Sequence, residues 1–123
     1  MKSTYTYSDP CYLARFSNIV DEPRELLSRI QNLELIEMKS NRKNTKCCGS
    51  GLQLVHTAYP AISEGVALNK LKDALEIKAK TIITYCPHCY QTLKHVAHDN
   101  KMPIEIKDFS QLMICALDHK SEL

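Results

Sequence analysis

The sequence has no apolar run long enough to cross a membrane. The longest, Leu112 to Leu117, is six residues, against the ~20 that a transmembrane helix needs. No apolar segment follows Lys2, which argues against a secretory leader. The basic excess of a nucleic-acid binder is missing too, since the net charge is only +2 at neutral pH. Internal repeats, low-complexity tracts and Gly/Ser linkers are absent. What remains is globular composition, 44% hydrophobic and 24% charged. Its 123 residues suit one domain, with a core that buries about two-thirds of the chain's surface.

Six cysteines stand out against that background: Cys11, Cys47, Cys48, Cys86, Cys89 and Cys115. Their density lies below the ~8–10% of a short chain built on disulfides. Without an export signal the expected compartment is the cytoplasm. There, ordered thiols point to metal or redox chemistry rather than to staples.

Strands alternate with helices along the chain. Thr4 to Tyr7 is a β-branched and aromatic run stopped by Ser8-Asp9-Pro10. Asp21 reads as an N-cap, with Pro23 in the first turn and Leu26, Leu27 and Ile30 on one helical face. A second strand is expected over Leu33–Met38, then a polar loop from Lys39 to Lys46. The longest helix is expected from near Pro60 to about Ala79, with Ala67, Leu68, Leu71, Ala74, Leu75 and Ala79 on one face. Thr81–Tyr85, wholly β-branched or aromatic, predicts a third strand. Pro87 suits the first turn of a helix carrying Tyr90, Leu93 and Ala97. Ile104–Ile106 reads as a fourth strand. Asp108 with Gln111 resembles a capping box opening a last helix, with Phe109, Leu112, Met113 and Ala116 inward.

This alternation predicts an α/β fold: a single small domain of about four parallel strands with flanking helices, joined by right-handed crossovers. Ligands of such sheets sit beyond the carboxyl ends of the strands. Cys11 falls just past the first strand, Cys47 and Cys48 past the second, and Cys86 and Cys89 past the third. Five thiols are therefore expected at the carboxyl edge of the sheet.

Cys86-Pro87-His88-Cys89 fits a thioredoxin-like dithiol or half of a zinc site. A helix N-terminus at Cys86 would favour its thiolate. The dithiol reading leaves three other cysteines without a role, and 34 residues after Cys89 are few for the strands that follow the redox helix in that fold. A structural zinc would take Cys86, Cys89, Cys11 and one of Cys47 or Cys48, with His88 or His56 as substitutes. The vicinal pair fits one small ion poorly, because neighbouring side chains diverge; they reach different atoms of a several-iron cluster more readily. Gly49, without a Cβ, would let the backbone approach or turn beneath such a cluster.

The spacing as a whole carries a resemblance. Cys11, thirty-five residues, Cys47-Cys48-Gly49, thirty-six residues, then Cys86-x-x-Cys89 resembles the CCG, or cysteine-rich, domain. That domain occurs in the B and D subunits of heterodisulfide reductases, in DsrK-type sulfur-metabolism proteins, and in iron-sulfur subunits of glycolate-, lactate- and glycerol-3-phosphate-oxidising enzymes. Asp9-Pro10-Cys11, Asp21-Glu22-Pro23-Arg24, Glu37-Met38, Asn41-Arg42, Cys47-Cys48-Gly49-Ser50-Gly51 and Cys86-Pro87-x-Cys89 are similar to its blocks in the D-subunit branch. The resemblance implies a non-cubane [4Fe-4S] cluster held by Cys11, Cys47, Cys48, Cys86 and Cys89. It also implies a heterodisulfide-reductase-type oxidoreductase in which paired clusters cleave a small disulfide. Leu52-Gln53 depart from the glycine-rich continuation of relatives. No second CCG set and no ferredoxin block is present, so 1–123 is expected to be one CCG domain, the last domain or a subunit of a larger assembly. Its expected partners are other subunits or domains of an electron-transfer complex, including a ferredoxin-type iron-sulfur protein. A second cluster domain would come from a homodimer or another chain. Neither nucleic acid nor direct membrane insertion is expected.

The remaining candidates are local. Cys115 is expected to fill the apolar face of the last helix. His88 is placed to give a proton to a departing thiolate; His56 has a weaker claim, and His95, His98 and His119 read as solvated. Lys39, Arg42, Lys43 and Lys46 bring four cations and no acid just before Cys47. Arg42, Lys43 and Lys46 are the expected docking surface for an anionic substrate or an acidic electron carrier. Zinc-clamped assembly and thiol–disulfide exchange stand as the other readings.

Overall fold

The computed structural model describes residues 3–49 and 57–117. Four strands form one parallel sheet: β1 (Ser3–Ser8), β2 (Leu33–Leu35), β3 (Thr81–Thr84) and β4 (Glu105–Asp108), in the order β2-β1-β3-β4. Among the described residues, α1 (Asp21–Ser28), α2 (Pro60–Glu76), α3 (Pro87–Asp99) and α4 (Phe109–Leu117) connect and cover them. β2 and β3 flank β1 on opposite sides, so the chain reverses direction across the sheet at the β1/β3 pair. Such a switch point opens a crevice at the carboxyl ends of the strands.

Alternation along the inner strands sorts the core into two layers. Tyr5, Tyr7 and Ile83 face α1 and α4, where they pack with Leu27, Ile30, Phe109 and Leu112. Tyr7 pairs with Ile83 in register, and its ring meets Phe109 edge-on at 6.2 Å. Thr6, Ile82 and Ile106 are aligned across three strands. Ile82 and Ile106 face the other layer, with Ala67, Leu71 and Ala74 of α2 and Leu93, Val96 and Ala97 of α3. Each fully buried Leu or Ile contributes about 1.5–3 kcal/mol through burial.

Several element ends differ from the sequence reading. α1 starts at Asp21 itself, with Val20 before it and no side-chain cap; Asp21 and Glu22 instead place negative charge in the first turn, where the helix dipole favours it. Leu27 is fully buried while Leu26 is 44% exposed, so the inward face is narrower than expected. β2 stops at Leu35 because only one more sheet bond follows, from the Ile36 N–H to the Tyr5 carbonyl, before Glu37 turns to Arg24. α2 ends at Glu76 rather than near Ala79. Lys78 adopts a left-handed conformation (φ 60°), and the Lys78 and Ala79 amides bond back to the Leu75 and Ala74 carbonyls, closing the helix as a Schellman motif. α3 closes identically through Lys101 and Met102. β4 begins one residue later than read and runs through Asp108 directly into α4. A π-helical turn, Tyr12–Phe16, was not anticipated. Among the described residues no helix is long and apolar enough to cross a membrane.

Candidate functional site

The switch point brings the first and third cysteine blocks together. Ser8 and Thr84 are partners in register. The chain leaves each at the same height of the sheet, reaching Cys11 three residues on and Cys86 two residues on. Cys11 opens the π-helical turn; the Ala14 amide bonds to the Pro10 carbonyl at 3.0 Å ahead of it, and the Ser17 amide closes it on the Tyr12 carbonyl at 3.2 Å. Cys86 has extended backbone (φ −87°, ψ 125°) and immediately precedes α3, with Pro87 in its first turn. One turn on, Cys89 faces inward. Burial, followed by the neighbouring Cys86 thiol, pushes the Tyr12 phenol up to about 12.

The vicinal pair arrives on a long loop. Cys48 is buried in the same layer as Cys86 and Cys89, against Met38, Ala67, Leu71 and Leu93. Cys47 is exposed, and its Sγ accepts the Gly49 N–H at 3.3 Å. A hydrogen bond with Cys48, followed by partial burial, pushes the Cys47 thiol up. Gly49 has φ +88°, and a Cβ there would lie 2.4 Å from the Ser63 carbonyl oxygen. Its missing side chain thus lets the loop press against α2, a close approach to protein backbone that sequence reasoning had directed to a cofactor.

A buried polar network holds this loop beside Cys11. Arg24 forms two hydrogen bonds to Asp9, at 2.8 and 2.6 Å, two to Glu37, at 2.6 and 3.1 Å, and one to the Val20 carbonyl. Asp9 Oδ2 also accepts the Arg42 N–H at 2.8 Å. Thr45 Oγ1 donates to the Asp9 carbonyl at 3.0 Å and accepts from Lys70 Nζ at 2.9 Å. Lys70 further donates to the Lys46 carbonyl at 2.7 Å, and Arg15 donates to the Lys43 and Thr45 carbonyls. Asp9, Arg24 and Glu37, noted in sequence only as pieces of a resemblance, form one structural unit with the Arg42 backbone. Bidentate guanidinium–carboxylate pairing is what makes such a junction directional.

Lys70 is 2% exposed and had no role in the sequence reading. Its signal was present: it lies at helical spacing between Ala67 and Ala74, among residues that face the core. Burial pulls its ammonium below the usual lysine range, opposed by the nearby charges of Cys89, Cys48, Asp9 and Cys47. Burial, followed by the Asp9 charge, pushes the Tyr7 phenol up.

The other expected site residues are placed as follows. His88 is half-buried in the first turn of α3. His95 and His98 are exposed, His95 beside Asp99 at 3.1 Å. His56 and His119, and the side chain of Cys115, lie outside the described residues. The basic run does not form a free cationic surface. Lys46 pairs with Asp73 at 3.0 Å, Lys39 with Glu76 at 3.2 Å, and Arg42 lies 3.6 Å from Glu37 and 3.8 Å from Asp21; Lys43 is exposed. Among the described residues no three His, Cys, Asp or Glu side chains converge as a single-ion site.

Thiols are soft ligands, suited to zinc, copper(I) and iron–sulfur clusters. Comparison with known proteins identifies the arrangement: residues 5–94 match the cysteine-rich domain, CCG. The chain belongs to the CCG family. This CCG domain is 33% identical over 117 residues to the D subunit of a dihydromethanophenazine:CoB–CoM heterodisulfide reductase from Methanosarcina acetivorans, covering 95% of the chain and 28% of the relative. It is 37% identical over 89 residues to the B subunit of the fumarate reductase (CoM/CoB) from Methanothermobacter marburgensis, covering 72% of the chain and 17% of the relative. It is 27% identical over 116 residues to the "Probable iron-sulfur-binding oxidoreductase FadF" of Bacillus subtilis, covering 94% of the chain and 16% of the relative. The CCG domain thus spans less than a third of each of these relatives.

Proposed function

We propose that this CCG domain is an iron–sulfur redox module of a heterodisulfide-reductase-type oxidoreductase, one part of a larger electron-transfer assembly. Cys11, Cys47, Cys48, Cys86 and Cys89 would hold a non-cubane [4Fe-4S] cluster. Electrons would pass to or from a small disulfide or thiol substrate, or a partner subunit. The observation that carries this reading is the delivery of all three cysteine blocks toward the switch-point edge of a parallel sheet. The names of the relatives, two of them reductase subunits and one an iron–sulfur oxidoreductase, support it.

The residues present fit such a group. The donor set is all thiol, and besides the Tyr7 hydroxyl of the opposite layer, three buried hydroxyls, Thr6 Oγ1, Ser8 Oγ and Thr84 Oγ1, have no hydrogen-bond partner among the described residues. Sheet alternation puts these hydroxyls on the face shared with Cys48, Cys86 and Cys89. Buried donors without acceptors each cost about 1–3 kcal/mol, and an acceptor-rich sulfur group would supply what they lack. When bound, the cluster supplies one-electron redox chemistry. The protein's part is to hold five thiols against the sheet edge and exclude water from Cys48, Cys86 and Cys89.

Anaerobic purification with iron and acid-labile sulfide analysis, and EPR of an oxidised sample, tests the reading. Roughly stoichiometric iron and sulfide with a paramagnetic signal is expected. Near-zero iron with stoichiometric zinc overturns it. Cys48→Ser sharpens the result, because a five-thiolate cluster is lost with it, whereas a four-ligand zinc site drawing on Cys47 survives.

A further inference from the structure

Among the described residues the buried Lys70 amine has no ion-pair partner. Its three N–H donors meet two neutral oxygens, Thr45 Oγ1 at 2.9 Å and the Lys46 carbonyl at 2.7 Å. Those dipoles orient the ammonium but do not neutralise it. Asp9, the nearby carboxylate, already accepts two bonds from Arg24 and one from the Arg42 amide. A buried, unpaired cation is strongly unfavourable, and thiols are at hand to match it: Cys47 follows directly on the Lys46 carbonyl that Lys70 bonds, and Cys48 packs with Ala67 and Leu71, which flank Lys70 in α2. Thr6, Ser8 and Thr84 add buried hydroxyls without partners on the same face of the sheet. The site is thus rich in donors, positively charged and lined by sulfur.

We infer that Lys70 is the internal counter-charge of the thiol-bound cluster: its third N–H donates to a cluster or thiolate sulfur and holds the reduced form in preference to the oxidised one. The inference rests on the iron–sulfur reading above. Reduction adds one negative charge to the site, so a fixed cation nearby favours the form with one more electron, and more so in a low-dielectric interior than in water. Lys70 is a positioning residue for redox function, acting through sulfur rather than on a substrate.

Wild-type protein, Lys70→Met, Lys70→Gln and Lys70→Arg are purified anaerobically, and iron, sulfide and an EPR-monitored redox titration are measured for each. Methionine fills the site without charge, and arginine keeps the charge. Lys70→Met and Lys70→Gln with full iron are expected to shift the reduction equilibrium about tenfold toward the oxidised form, a midpoint lower by about 59 mV for one electron. Lys70→Arg stays within about twofold of wild type. Iron loss from the Met and Gln variants but not from the Arg variant supports the counter-charge equally. An unchanged midpoint in iron-replete Lys70→Met overturns the inference, as does equal iron loss from all three variants, which makes Lys70 only a clamp on the loop. Wild-type protein without iron overturns the iron–sulfur reading itself, and the inference falls with it.

Discussion

The two halves of the cysteine edge are built from different forces. Cys86 and Cys89 sit at a strand-to-helix junction held by apolar packing. Ile82 enters from β3, Leu93, Val96 and Ala97 pack down from α3, and Tyr85 rests on Phe109 at 5.5 Å on the opposite face. Cys11 and Cys47 instead hang on charge: Asp9, Arg24 and Glu37 form the knot, and Thr45 and Lys70 tie the loop to β1 and α2. Apolar packing is non-directional and tolerates small shifts, whereas a buried bidentate pair fixes angle as well as distance. A short junction needs only packing to aim its thiols. A loop that must hold two adjacent thiols beside a third from another strand needs the directional kind.

Breaking the polar half should therefore cost most. Arg24→Met strands the Asp9 carboxylate, 2% exposed, with only the Arg42 amide as donor, and Glu37 loses two bonds. Removing one partner of a buried pair costs about 3–5 kcal/mol, so about 4 kcal/mol is expected in urea unfolding followed by circular dichroism. A cost below about 1 kcal/mol would mean that the network is dispensable. In the apolar half, Leu93→Ala empties a fully buried site and should cost about 3 kcal/mol, within the usual range for such truncations. The two variants separate further under native-state hydrogen exchange. Arg24→Met should expose the Arg42 amide at energies well below global unfolding, and Leu93→Ala should expose it only along with the rest of the domain.

The same division explains what could be read from the sequence. The sheet, its parallel pairing and the cysteine blocks at its carboxyl edge were legible, because β-branched runs such as Thr81–Thr84 and the apolar spacing of α2 are local signals that the tertiary structure obeys. What was not legible is that Lys39, Arg42 and Lys46 of the expected basic run are paired. Their partners, Glu76, Glu37 and Asp73, come from other elements, and no local pattern announces a pairing across 27 or 37 residues. Arg24 was hidden for the same reason, since Asp9 lies 15 residues before it and Glu37 13 after it. Lys70 was visible at its spacing, but a lone lysine on an apolar stripe ordinarily snorkels to solvent, and only the packed structure shows that it does not. Gly49 was recognised as a close-approach position without any indication of what approaches.

Between the two halves lies Thr45, where the loop meets both β1 and α2. Thr45→Val keeps the shape and removes the hydroxyl, leaving the Asp9 carbonyl without its donor and Lys70 with one fewer acceptor. Unsatisfied buried groups of this kind cost about 1–3 kcal/mol, so about 2 kcal/mol is expected in the same unfolding measurement. Thr45→Ser, which keeps the hydroxyl, should recover most of it. Equal losses in both variants would show that the methyl group rather than the bridge is what matters.

The smallest effect belongs to a residue that looks important in sequence. Arg42 shares Glu37 with Arg24, yet its guanidinium is 47% exposed and stands 3.6 Å from that carboxylate and 3.8 Å from Asp21. Exposed pairs of this kind contribute about 0–1 kcal/mol. Arg42 serves the polar half through its backbone, whose N–H reaches Asp9 at 2.8 Å from a left-handed conformation (φ 53°), and no side-chain substitution other than proline removes that bond. Arg42→Ala is therefore expected to cost less than about 1 kcal/mol and to lose even that in high salt. Arg24→Met keeps its full cost, because its pairs are shielded from solvent. If the two arginines proved equally costly and equally salt-sensitive, the loop would be held by the general attraction of a basic segment for acidic neighbours, and the directional knot at Asp9 would lose its claim to position Cys11 and Cys47.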